Sequence, residues 1–303
     1  MVHLPFRRME SVAPCLAAVL CIVVCLLLPR PGVAHPSAGT RLDALNRRIA
    51  AEPGRADLLL QRGELYRERR SWAPAEEDFA AARRLDPDLA AVDLCLARLR
   101  LATGRPADAS RLLDGYLAAV PDDAGALALR AGMRDESGEH LAAAADYGRA
   151  IAAWRTAGAD PPPHLYLGRA AALVAAGESF FPEALQGLDQ GLDRIGRPVT
   201  LELEALALEL RLGWFDQALA RVDRRLAGAR RPGPWLLRRG LVLESAGRYA
   251  EALEAFGGAR ADFAAGPAGR RDAPAVLRQL DAIGSAVARV EARLDMIGVT
   301  DHD

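Results

Sequence analysis

Along most of this 303-residue chain apolar side chains recur at alternating steps of three and four, the spacing that gathers them on one face of an α-helix. Leu42, Leu45 and Ile49 trace such a face near the start. Leu280, Ile283, Val287, Val290, Leu294 and Ile297 trace another near the end. Between them the pattern is broken by a glycine, a bulky or polar stretch and then alanine and leucine, as in "GRYAEALEAF" (247–256) and "GWFDQALARV" (213–222). Weaker copies stand at "GRPADASRLL" (104–113) and "GEHLAAAADY" (138–147). A glycine can take the left-handed conformation that ends a helix, so each phrase reads as a helix stop followed by the packing face of the next helix.

The helices come in a period. Pro53, Pro87 and Pro121 stand 34 residues apart, and the turn glycines Gly104, Gly138, Gly177, Gly213 and Gly247 follow at spacings of 34, 39, 36 and 34. Two units are therefore expanded, one through "TAGADPPP" (156–163) and one through "ESFFPEAL". In the first full unit, "LLLQRGELYRERRSWAPAEEDFAAARRLDP" (58–87), the residues Gly63, Tyr66, Ala75, Phe79 and Pro87 fall where the tetratricopeptide repeat has glycine, tyrosine, alanine, phenylalanine and proline, and Ala82 adds a late small residue. The sixth unit resembles the family through Gly240, Leu243, Gly247, Ala252, Phe256 and Ala259. The middle units hold the register with Ala131, Tyr147 and Ala150, then Ala170, Ala184 and Leu188, then Ala218 and Val222. Small residues at these positions let two backbones approach, and the aromatic rings fill the space beside them.

The resemblance implies an all-α fold: a right-handed α-solenoid of antiparallel helix pairs, about six repeats over 56–263. Residues 35–55 then form a linker and amino-terminal capping helix, and 264–303 a linker and carboxy-terminal capping helix, because a solenoid needs its ends covered. The last helix has a second reading, a short coiled-coil seam for a homodimer. The resemblance also implies a concave face, lined by the first helix of each unit, that binds an extended peptide or a helix of a protein partner. Its positions here are Asp57, Leu60, Glu64 and Arg67, then Leu94, Arg98 and Leu101, then Ala128 and Asp135. They continue with Leu167 and Ala171, Leu203 and Ala207, and Leu237 and Leu241. The first half of this track is mixed in charge and the second mostly apolar. Phe180 and Phe181, in an expanded turn, are open to two readings: a contact site, or rings folded back on neighbouring helices.

The amino terminus departs from the helical period. Arg7 and Arg8 precede an unbroken apolar run, "LAAVLCIVVCLLL" (16–28), and then the small-residue stretch "PGVAH". This is the layout of a secretory signal peptide over 1–34, with cleavage after Ala34, and it places the chain in the periplasm or outside the cell. An uncleaved segment anchoring the chain to an inner membrane is the alternative, although the run is shorter than the ~18 apolar residues of a spanning helix. None of Cys15, Cys21 and Cys25 has the small residue before it that lipidation requires. All 39 cationic residues are arginine and alanine is abundant, the bias of a GC-rich, bacterial genome. With 40 acidic residues the formal net charge is -1, so no overall field draws the chain to nucleic acid.

Catalytic chemistry is sparse. Cys95, in "DLCLARL", is the one cysteine past the signal and reads as a small buried hydrophobe. His3, His35, His140, His164 and His302 show no metal-ligand spacing, and the tail "DHD" (301–303) reads as solvated. The glycine-rich "FGGARADFAAGPAG" lacks the lysine of a phosphate-binding loop. No cofactor and no metal are expected. The expected function is that of a non-enzymatic scaffold or adaptor in the bacterial cell envelope.

Overall fold

The computed structural model describes residues 38–266, 273–296 and 298. The apolar run at 16–28, the cleavage point after Ala34, Ile297 and the "DHD" tail lie outside the described residues. Among those described the fold is all-α, an α-solenoid of antiparallel helix pairs with fourteen α-helices. The chain divides into two compact units, residues 1–103 and 104–303.

Unit 1 contains α1 (Ala38–Ala51), α2 (Ala56–Glu68), α3 (Trp72–Leu85) and α4 (Ala91–Ala102). Each packs on the next, and α2 also touches α4. Leu45 and Ile49 of α1 close over Leu58 and Leu65 of α2, as a capping helix would. A second core gathers Leu59, Leu60, Phe79, Ala82, Val92, Cys95 and Leu99.

Unit 2 begins with α5 (Pro106–Ala119), followed by α6 (Ala124–Glu136) and α7 (His140–Thr156). Next come α8 (Pro163–Ala176), a 3-10 turn (Glu178–Phe180), α9 (Phe181–Arg194), α10 (Val199–Arg211) and α11 (Phe215–Ala227). The unit ends with α12 (Gly233–Ser245), α13 (Tyr249–Ala264) and α14 (Pro274–Met296). Neighbours in sequence are neighbours in space, and first helices of successive pairs also meet: α6 with α8, and α8 with α10. The apolar stripe of α14 is turned onto this body, with Ile283, Ala286 and Val290 buried beside Val242, Leu243 and Phe256 and with Val287 and Leu294 at the margin. That seam is occupied within the chain.

Size complementarity sets the closest helix contacts. Gly63 lies beneath the Phe79 ring, and a Cβ there would stand 2.4 Å from the ring carbon Cε1. Gly240 and Phe256 repeat the arrangement with the same 2.4 Å. Ala75, Ala82, Ala252 and Ala259 are fully buried around them. Tyr66 is half-buried on the first core, and Pro87 is exposed in the turn between α3 and α4.

The helix stops follow the expectation with two differences. Gly104, Gly138, Gly213 and Gly247 have φ between 71 and 82°, but Gly177 has φ 133° and ψ 167°, outside the left-handed helical region. The two extra residues of that turn are taken up by the 3-10 segment. In the first pair the stop is made by Arg70, at φ 58°, where glycine would carry no steric cost.

Candidate protein-binding surface

In unit 1 the expected track brings a charged cluster together and corrects part of it. Glu64 and Arg67 are one turn apart on α2, and Arg67 donates from Nε and Nη2 to Glu64 Oε2 at 3.0 and 2.8 Å. The other carboxylate oxygen, Glu64 Oε1, is buried with no hydrogen-bond partner among the described residues. The Cys95 thiol faces the same carboxylate, and a thiol is only a weak donor. Arg98, half-buried on α4, completes the group around Cys95. Burial and the Glu64 carboxylate push the Cys95 thiol up to about 12, against the opposing pull of Arg98 and Arg67. It is therefore protonated and inert at neutral pH. Leu101 is half-buried beyond Arg98.

Beside Glu64 a cavity of about 490 Å³ opens between α1 and α2, lined by Arg41, Arg48, Leu60, Gln61, Glu64 and Glu68. Helix α1 thus forms one wall of the groove, a role its sequence pattern does not announce. Leu60 contributes only its edge. With Leu94 and Leu237 it was expected to face outward, and all three are buried, at 8, 7 and 6% exposure. The reason is geometric: an inner helix packs against its own partner and against the next inner helix, so it has two buried sides. Asp57 is held by Arg55 through Nε and Nη2 at 2.7 and 2.8 Å, which keeps its carboxyl below the usual range. That pair sits at the start of α2, where a negative charge suits the helix dipole.

In unit 2 the track is shallower. Leu167 on α8 and Leu203 on α10 are half-buried, and Ala128 likewise on α6, whereas Ala171 and Ala207, one turn later, are exposed. Asp135 is engaged with His140 across its turn, Oδ1 to Nδ1 at 2.7 Å. Leu241 lines a separate cavity of about 690 Å³ with Glu244, Tyr249, Arg289 and Met296, across which Arg289 donates twice to Glu244 at 2.9 Å. Phe181 is folded back, fully buried under the Arg211 guanidinium at 3.9 Å from its ring centre. Phe180 is half-buried beside it.

The sequence reading missed the buried charges. Arg62 donates to both oxygens of buried Asp78 at 2.8 and 2.6 Å and to Asn46 Oδ1 of α1 at 2.9 Å. Arg130 repeats this two repeats later, gripping Asp146 at 2.7 and 2.8 Å and Asp114 of the preceding helix at 2.9 Å, with Arg134 also on Asp146. In the α10–α11 pair the polarity is reversed: Arg221 of α11 is buried against Glu209 at 2.9 and 2.6 Å and reaches Asp189 of α9 at 2.9 Å. Each arginine ties three consecutive helices. The available signal was the recurrence of Arg62 and Asp78 at Arg130 and Asp146.

A family model described as the tetratricopeptide repeat matches residues 66–133. Among solved structures, the C-terminal part of a TPR repeat-containing protein from Cytophaga hutchinsonii is similar at a TM-score of 0.50 and 12% identity, over 88% of this chain and 96% of that one. This likeness shows the fold. A tetratricopeptide repeat protein from Parabacteroides merdae is similar at a TM-score of 0.45 and 15% identity, over 82% of this chain and 92% of that one. Pseudomonas aeruginosa pilF is similar at 0.48 and 15%, over 76% and 96%. No curated protein sequence matches the chain.

Proposed function

We propose, from the premise that this is a tetratricopeptide repeat protein, that it works as a non-enzymatic scaffold or adaptor in the bacterial cell envelope and grips a protein partner along its first-helix faces. The observation that carries this is Glu64 Oε1. A buried carboxylate oxygen without a strong donor costs on the order of 1–3 kcal/mol, and the residue that carries it lines a groove of about 490 Å³. A small rotation of the Glu64 carboxylate toward the groove would let a backbone or side-chain N–H of an extended partner segment satisfy it while Arg67 holds the other oxygen. Arg41 and Arg48 on the far wall suit acidic or carbonyl groups of the same segment.

Export through residues 1–34 is part of this proposal, supported by the charged start, apolar run and small-residue stretch of the sequence. The apparent mass of the chain recovered from a bacterial envelope checks it: loss of the first 34 residues supports a cleaved signal, and their retention supports an inner-membrane anchor.

The binding test is cross-linked capture with the full chain from envelope extract, beside a variant carrying Glu64→Ala, Arg67→Ala and Arg98→Ala. A protein retained by the parent and lost by a folded triple variant is the expected result. Equal retention by both would remove the unit 1 groove as the site.

A further inference from the structure

We infer that an arginine-rich edge of unit 2, at the turn between α11 and α12, is a second docking surface that takes an acidic segment of a protein partner. It lies on a different unit from the groove around Glu64 and does not depend on it.

Residues 224–239, "RRLAGARRPGPWLLRR", carry six arginines and no acidic residue, in a chain whose formal net charge is -1. Most arginines described elsewhere on the molecule are neutralised by a nearby carboxylate, as Arg105 and Arg111 are by Asp108. Arg224, Arg230 and Arg231 are exposed and have no carboxylate partner among the described residues. The acids close to this edge are already committed. Glu202 is buried and faces Arg197, Arg221 and Arg225. Asp223 accepts from Arg239 at 3.0 Å. Asp262 accepts from the Gly233 backbone N–H at 3.0 Å.

The base of the edge is fixed. The guanidiniums of Arg225 and Arg238 lie over the Trp235 ring, 5.7 and 5.2 Å from its centre. Arg238 donates to the Pro234 carbonyl at 2.7 Å, and Arg225 donates to the Arg197 carbonyl of the preceding turn. Two arginines are thus spent on holding the turn, and three are left as free cations beside it. Guanidiniums in this state pair with carboxylates in two-point geometry.

An anionic membrane is the rival surface. Stable attachment there asks for apolar or aromatic side chains beside the cations, and the aromatic ring of this edge is half-buried beneath its own arginines. Residues 224–239 hold no exposed large apolar side chain. A run of a few carboxylates on an extended chain fits the three free cations.

The test uses the full chain and a fluorescently labelled oligo-glutamate peptide, with an oligo-glutamine peptide of equal length as reference, followed by anisotropy. The decisive variant carries Arg224→Ser, Arg230→Ser and Arg231→Ser. A second variant with Arg105→Ser and Arg111→Ser removes two paired arginines from the same unit. We expect binding of oligo-glutamate only, weakened by added salt, reduced roughly tenfold or more in the triple variant and unchanged in the second, with both variants folded by circular dichroism. Equal binding by the parent and the triple variant overturns the proposal. So does the absence of peptide binding together with triple-sensitive sedimentation on phosphatidylglycerol vesicles, which would assign the edge to a lipid surface.

Discussion

Gly63 and Phe79 solve one packing problem jointly: the ring occupies the volume that any side chain at 63 would need. Helix propensity alone favours Gly63→Ala by about 1 kcal/mol, while a Cβ 2.4 Å from the ring asks the core to overpack, which costs roughly 1–3 kcal/mol. We expect net destabilisation in urea titrations of the single variant, and a neutral or stabilising effect of the same change in a Phe79→Leu background. The double-mutant cycle isolates the contact, and a destabilisation of equal size in both backgrounds would refute it. This pair was legible in the sequence because glycine and phenylalanine are unmistakable at their family positions. Leu60, Leu94 and Leu237 were misread for a physical reason: a 3.6-residue period identifies one buried face, and an inner helix of a stacked repeat has two.

The helix pairs are also joined by charge, and here the sequence was silent. A single arginine or aspartate inside a helix looks like part of a solvated face, and only the fold reveals that Asp146, 2% exposed, sits between Arg130 and Arg134. Removing one partner of a buried pair strands the other, so Asp146→Ala should cost about 3–5 kcal/mol of stability. Replacing Arg130 and Asp146 together by leucine should recover part of that loss, since one of the two stranded guanidiniums is removed and Arg134 remains. Chemical denaturation of the three proteins checks the prediction, and a double variant as unstable as the single one would sink it. The helix boundaries, by contrast, followed closely from turn glycines and prolines, since those residues act through local backbone geometry alone. The exceptions were the turn at Gly177 and the stop at Arg70.

At the level of the molecule, α14 decides whether the last pair ends in water or in a lid. Ending the chain before Ala273 would uncover the surface that Ile283, Ala286 and Val290 now cover, at roughly 2 kcal/mol for each large apolar side chain returned to water. A lower thermal midpoint and new binding of an apolar dye are expected, and an unchanged melt would show that α14 is dispensable. The buried charges have a further consequence. Because the first and third repeats use arginine against aspartate, and the α10–α11 pair carries its arginine on the other helix, the modules are not interchangeable blocks. Each carries an address that only its own neighbours can read. Copying, deleting or shuffling one repeat by recombination would part a guanidinium from its carboxylate. This chain is therefore a sentence with fixed word order, and its length is harder to change by duplication than its regular period suggests.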